Sequence, residues 1–291
     1  MERVMRIGGH VSTAERLDKC LDRAQAIGCE TLQIFASAPQ SWRAISHTNE
    51  AMAELRKRCG ECENPPLFVH AIYLINLASA DEAHVKRSAD SLAAAMRFCE
   101  ATGAAGLIFH VGSHKGAGFE AVLPQIGRAM KEALAAVPGE TRLLVENSAG
   151  AGATVGGTLA EVGAIVREAG DPRVGICLDT CHLFASGYDL RTPEGVAATM
   201  DEFDREVGRE RLTVVHANDS KGDLGGGKDR HENIGQGSIG LDGFRAIMAH
   251  PAFRDVPFLL EVPGMDGKSG PDRENIDVLR GLRRELFGEA D

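Results

Sequence analysis

The chain has 291 residues, is 43% hydrophobic and carries a formal charge of −10. That composition supports a sizeable core, and no apolar run is long enough to span a bilayer; the N-terminus also lacks the pattern of a signal peptide. The acidic balance argues against loose nucleic-acid binding through bulk positive charge, and seven scattered cysteines, an odd count, read as reduced thiols of a cytoplasmic protein. Cys59-x-x-Cys62 has no second pair and no adjoining redox context, so it joins those thiols.

In chain order, hydrophobic periodicity predicts a strand over residues 4–8 and a helix over 13–27, with Ser12 or Thr13 as its cap and Glu15 and Arg16 in its first turn. A strand at 31–35 and a helix at 50–59 follow. The third strand ends at His70, and a helix over 83–102 stops at Gly103. The fourth ends at His110 before a helix over 120–137, closed by Pro138-Gly139. The fifth ends at Glu146 and the sixth at Asp179, with helices over 158–169 and 193–207, the latter opened by Pro193. The seventh ends at His216 and the eighth at Glu261, with helices over 241–250 and 273–287. Eight alternations without a linker or a composition break predict an α/β fold: a single (β/α)8 TIM barrel domain over 1–291, a doubly wound sheet being the alternative. Long loops at 36–49 and 219–240 fall on the C-terminal face of the strands, where such barrels keep their specificity.

Six of those strands end on a residue able to bind a metal: His70, His110, Glu146, Asp179, His216 and Glu261. Barrel closure brings such ends to one mouth. His182 lies one turn beyond Asp179, and Asp229 and His231 share a face if the backbone between them is extended. Nine candidates exceed the roughly three protein ligands of one open ion site, so they suit two or three ions with a carboxylate bridging. Mixed imidazole and carboxylate donors suit zinc, manganese or iron without choosing among them. A cluster of this kind lowers the pKa of a bound water towards about 7 and stabilises both oxygens of an in-line displacement at phosphorus, which points to phosphate ester hydrolysis. The ions would then be the strongest local positive charges, so net charge does not exclude a phosphate substrate.

His10 reads as support for the ligands or a substrate contact, and His114 as a substrate contact or a loop hydrogen bond. His47, His84 and His250 read as solvated surface residues. The glycine runs 222–227 and 150–157 could cradle an anion through backbone N–H groups or serve only as turns.

Several blocks, in order, resemble endonuclease IV, the zinc-dependent family of apurinic/apyrimidinic-site nucleases, nearly end to end. They are His70-Ala-Ile-Tyr73-Leu74-Ile75-Asn76, Phe109-His110-Val-Gly-Ser-His114, Glu146-Asn147-Ser, Leu178-Asp179-Thr-Cys-His182, His216-Ala-Asn218-Asp219 and Asp229-Arg-His231-Glu-Asn-Ile-Gly235. The resemblance implies three zinc ions: one held by His70, His110 and Glu146, a second by Glu146, Asp179, His216 and Glu261, and a third by His182, Asp229 and His231. It further implies cleavage of duplex DNA 5′ to abasic sites, leaving a 3′-hydroxyl and a 5′-deoxyribose phosphate, and trimming of blocked 3′ ends. A metal-bound hydroxide would attack with Glu261 orienting it, while the third ion stabilises the leaving oxygen. Manganese or iron could replace zinc at some sites. Tyr73 and Leu74 would wedge into the minor groove where a base is missing, and Trp42 lies in a loop that also meets DNA in the family. Gln40 stands where the family often carries an arginine used at the lesion, a role Arg43 could take over. No association stripe is evident, so a monomer is expected. A metal-dependent sugar isomerase is the rival reading on the same fold, and a DNA- or partner-binding scaffold without catalysis is the non-enzymatic one; the third ligand set argues against the first, and the intact nine-residue set against the second.

Overall fold

The computed structural model describes residues 5–61, 66–267 and 270–288. Val4 and Cys62 lie outside them. In chain order the elements are β1 (Ile7–His10), α1 (Lys19–Ile27), β2 (Leu32–Phe35), α2 (Asn49–Glu61), β3 (Leu67–His70), α3 (Glu82–Thr102), β4 (Gly106–His110) and α4 (Phe119–Ala135). There follow β5 (Arg142–Glu146), α5 (Leu159–Ala169), β6 (Val174–Asp179), α6 (Thr180–Ser186), α7 (Pro193–Glu206), β7 (Leu212–His216), β8 (Asp219–Ser220) and β9 (His231–Glu232). The chain ends with α8 (Gly240–Ala249), β10 (Phe258–Leu260) and α9 (Arg273–Phe287). Eight parallel strands close in the order β1-β10-β7-β6-β5-β4-β3-β2, the predicted (β/α)8 barrel.

Strand register explains why the ligand candidates meet. Phe68, Ile108, Leu144, Cys177, Val214 and Leu259 form a separate buried cluster of their own, one residue from each of six strands. Each lies two residues before a ligand candidate. Side chains alternate faces along a strand, so position i+2 points the same way as position i. The apolar layer is therefore the floor of the barrel interior, and the six polar residues form the next layer up. Burying each large floor side chain contributes on the order of 1.5–3 kcal/mol, which makes that floor a rigid base.

Two predicted elements differ from the structure. The first strand begins later than expected, because pairing with β10 starts at Ile7 opposite Phe258. The first helix begins at Lys19 and not near Thr13. Ser12 Oγ instead accepts the Ala14 N–H in an isolated turn, and Glu15 adopts φ 72°, which a right-handed helix cannot contain. Two further elements were not foreseen: the short α6, and the two-stranded antiparallel ribbon of β8 and β9 within the 219–240 loop.

Candidate metal centre

Glu146 ends β5 fully buried, and its two oxygens face different partners. Oε2 lies 3.1 Å from His70 Nε2 and 3.5 Å from His110 Nε2, whereas Oε1 lies 3.0 Å from His216 Nδ1. Donor atoms of His70, His110 and Glu146 all fall within 4.8 Å of one another. The same holds for Glu146, Asp179, His216 and Glu261, and again for His182, Asp229 and His231. All nine predicted side chains thus meet at the barrel mouth in three groups, the first two sharing the Glu146 carboxylate.

The third group is assembled by the elements that the sequence did not reveal. Asp179 caps α6, its Oδ1 accepting the His182 N–H at 2.8 Å, and so aims the imidazole across the mouth. His231 opens β9, opposite Ser220, and Asp229 just precedes it. Asp219 clasps this loop: its carboxylate accepts N–H groups from Ser220, Gly235, Gly237, Ile239 and Gly240. Burial pushes its pKa up against those donors.

Hydrogen bonds on the far side of the rings orient the donors. His70 Nδ1–H donates to the Ala71 carbonyl at 2.7 Å, His182 Nδ1–H to the Asn147 carbonyl at 2.9 Å, and His231 Nδ1–H to the Glu261 carbonyl at 3.2 Å. His216 uses the opposite nitrogen, with Nε2–H donating to Gln33 Oε1 at 2.8 Å. In each ring the other nitrogen faces the cluster, the arrangement that fixes metal-binding tautomers. Nε2 of His182 and of His231 are both buried, 3.2 Å from Asp229 Oδ1, without hydrogen-bond alignment to any partner. Such orphaned nitrogens fit a cation placed between them and Asp229.

Electrostatics agree. Burial lowers the pKa of His182, but Asp179, Asp229 and Glu146 outweigh it and raise the value to about 10. Burial likewise acts against His231, yet Asp229, Asp179 and Glu261 bring it to about 9. Burial would raise Glu146, but His110, His216 and His70 hold it well below the carboxylate range, and Glu261 and Asp229 are held low by their own imidazoles. His110 moves the other way, lowered by burial and by its imidazole neighbours against Glu146. Metal binding needs neutral imidazoles, so a divalent cation would oppose the upward shifts at His182 and His231.

These residues set the terms for comparison with known proteins. A family model described as a xylose isomerase-like TIM barrel matches residues 21–282. A protein named "Probable endonuclease 4" from Methanoculleus marisnigri is 42% identical over 281 residues, spanning 95% of this chain and 98% of the relative. The chain belongs to the endonuclease IV family. Another relative of that name, from Halothermothrix orenii, is 39% identical over 277 residues, spanning 95% of this chain and 99% of its own length. The crystal structure of endonuclease IV from Thermus thermophilus superposes with a TM-score of 0.82 at 35% identity, covering 96% of this chain and 99% of that one.

Within this endonuclease IV fold, the residues expected to meet DNA occupy the same mouth. Tyr73 stands 55% exposed, with its ring edge-on to Phe35 and His70. Leu74 is half-buried and packs on the core, so only the tyrosine projects freely. Gln40 and Arg43 are exposed, and Trp42 is half-buried. His10 joins none of the three groups; its Nδ1 accepts from Gln33 Nε2 at 2.9 Å, and burial lowers its pKa against Glu261. His114 turns inward to its own loop, where Nδ1 accepts the N–H groups of Gly116 and Gly118.

The glycine runs take the turn reading, and three outlying histidines differ from expectation. Among the 222–227 glycines, all four N–H groups are engaged, by Ser220 Oγ and by the carbonyls of Phe184, Asp223 and Ala185, which leaves no phosphate cradle. At 150–157 the Gly156 and Gly157 N–H groups already hold the Glu161 carboxylate. His47, His84 and His250 are half-buried and hydrogen-bonded, not free surface residues.

Gln33, Asn147 and Asn218 were not assigned roles from sequence. Gln33 Nε2 donates to Glu261 Oε1 at 2.6 Å, and Asn218 Nδ2 to Asp179 Oδ2 at 2.7 Å. Asn147 exchanges two hydrogen bonds with the Asp179 backbone. The available signal was a polar amide set inside, or just beyond, an otherwise apolar buried strand. Cys177 and Cys181 also lie within reach of the ligand groups, but burial pushes both thiols up to about 12 and keeps them neutral.

Proposed function

We propose that this chain is a DNA-repair hydrolase that cleaves duplex DNA on the 5′ side of abasic sites, leaving a 3′-hydroxyl and a 5′-deoxyribose phosphate, and that it trims blocked 3′ ends. Its cofactor is taken to be three zinc ions, one per ligand group, with manganese or iron able to substitute. The observation carrying this reading is the His182–Asp229–His231 group, which a one- or two-ion sugar isomerase on this barrel has no need of.

Bound ions would supply an activated water and neutralise charge at phosphorus. His70, His110 and Glu146 would hold the first, Glu146 bridging to the second with Asp179, His216 and Glu261. Glu261 is pinned through Oε1 by Gln33, and we assign it the orientation of the attacking water. As the new P–O bond forms, the bond to the 3′ oxygen breaks and that oxygen takes up a proton. The His182–Asp229–His231 group is assigned to the leaving oxygen. Tyr73 is taken to fill the gap left by the missing base, assisted by Leu74, with Trp42 and Gln40 against the neighbouring backbone. No helix among the described residues is long and apolar enough to cross a membrane. A single-domain monomer acting in the cytoplasm completes the reading, in keeping with the free thiols of Cys20, Cys29, Cys99, Cys177 and Cys181.

Purified protein supplied with zinc should nick a duplex carrying one tetrahydrofuran abasic analogue and spare the undamaged duplex, and elemental analysis should find one zinc for each group. No cleavage would defeat the nuclease reading, and turnover of a ketose would favour the isomerase.

A further inference from the structure

The two loops assigned to DNA are joined by the first turns of α3, a joint the metal groups do not require. The Arg87 guanidinium of α3 lies 4.6 Å from the ring centroid of Trp42 in the β2–α2 loop, and the His84 ring, also of α3, meets the same indole edge-on at 5.4 Å. In the β3–α3 loop, the Leu74 carbonyl accepts Nε2–H of that same His84 at 3.0 Å. A second tie lies beside Gln40, where the Tyr73 N–H donates to the Pro39 carbonyl at 2.9 Å. The α3 turn is itself held by Asp81, whose carboxylate accepts the Ala83 and His84 N–H groups. A half-open cleft of about 210 Å³ is lined by Trp42, Arg43, Arg87 and His70, so open space adjoins one part of the indole while another part packs on the core.

We propose that His84 and Arg87 are positioning residues that hold Trp42 and Leu74 as one pre-ordered edge against a lesion-bearing duplex. The proposal rests on the nuclease reading above. His84 joins none of the candidate metal groups, and an arginine is no ordinary metal ligand, so the expected effect of both is on binding the duplex. Pre-ordering removes a cost that binding would otherwise bear, and its loss shows in substrate affinity before it shows in turnover.

Trp42 is the sole tryptophan of the chain, so its emission reports on this joint directly. In His84→Ala and Arg87→Ala we expect red-shifted emission, stronger acrylamide quenching and unchanged zinc content. We also expect KM for the tetrahydrofuran duplex to rise about three- to tenfold with kcat within about twofold. His84→Gln keeps a donor for the Leu74 carbonyl and should recover part of the KM loss. Arg87→Lys keeps the charge without the planar stack and serves should the alanine variants fail to fold. Unchanged emission, an unchanged KM, or a loss confined to kcat would overturn the proposal. If the wild-type protein does not nick the duplex, the nuclease reading fails, while the emission shift still decides whether the joint exists.

Discussion

A carboxylate as buried as Glu146 stays ionised only because imidazoles face both of its oxygens. Glutamine in its place keeps the volume and one carbonyl oxygen but removes the charge that two cation groups would share. Replacing outer partners of metal ligands typically costs about 10–100-fold, so Glu146→Gln should lower cleavage by at least about a hundredfold. Circular dichroism should show the barrel retained, and near-normal rates would remove Glu146 from the bridging position. Tyr73 carries a separate expectation. Its exposed ring is held by edge contacts to Phe35 and His70 and adds little to the core. Tyr73→Ala should therefore leave thermal stability within about 0.5 kcal/mol, while weakening binding to an abasic duplex more than to an intact one. Equal weakening, measured by anisotropy, would return Tyr73 to a packing role.

At the scale of elements, six candidate ligands were legible because each ends an apolar strand run, and the structure places each two residues beyond a floor residue on the same face. The last three were legible only through local spacing, His182 one turn beyond Asp179 and Asp229 two residues before His231. What positions them is α6 and the β8–β9 ribbon, both too short to leave a periodic signal. The misplaced start of α1 has a similar cause, since Ser12 and Glu15 satisfy helix-start preferences yet form a turn. Asp219 carries no role legible from sequence, because a carboxylate collecting five backbone donors across twenty-one residues has no local signature. Asp219→Asn would set an amide NH₂ against N–H groups of Gly235, Gly237 and Gly240. These donors are exposed or half-buried, so water replaces part of each lost bond, and unfolding free energy should fall by about 1–3 kcal/mol in all. The loop carrying Asp229 and His231 should loosen, and zinc analysis should show the His182–Asp229–His231 group depleted first. Full zinc occupancy with unaltered stability would mean that the ribbon, and not Asp219, shapes the loop.

For the whole molecule, the ends of the strands divide the work. The carboxyl ends gather the titratable cluster, and the opposite end carries the closure of the barrel. There Glu30, just before β2, ties first and last elements together. Its Oε2 accepts the Ile7 N–H at 2.9 Å and Arg283 Nη1 at 2.6 Å, and its Oε1 accepts Arg283 Nη2 at 2.8 Å and Arg280 Nη2 at 3.1 Å. Arg283 also donates to the Met5 carbonyl, so α9 is locked across β1. Burial would raise the Glu30 pKa, but Arg283, the Ile7 N–H and Arg280 outweigh it and hold the value below the ordinary 4.5. A depressed folded-state value contributes stability that is complete above the ordinary range and is lost as pH falls through the folded value. Glu30→Gln should accordingly lower unfolding free energy by about 1.5–3 kcal/mol at pH 7, the range for hydrogen bonds to charged groups. In urea titrations of both proteins stripped with EDTA, so that metal release adds nothing, the gap between them should narrow on acidification to about pH 3 as the wild-type carboxylate takes up its proton. A gap of constant size at both pH values would assign the closure to packing of α9 against β1, with the carboxylate charge contributing nothing.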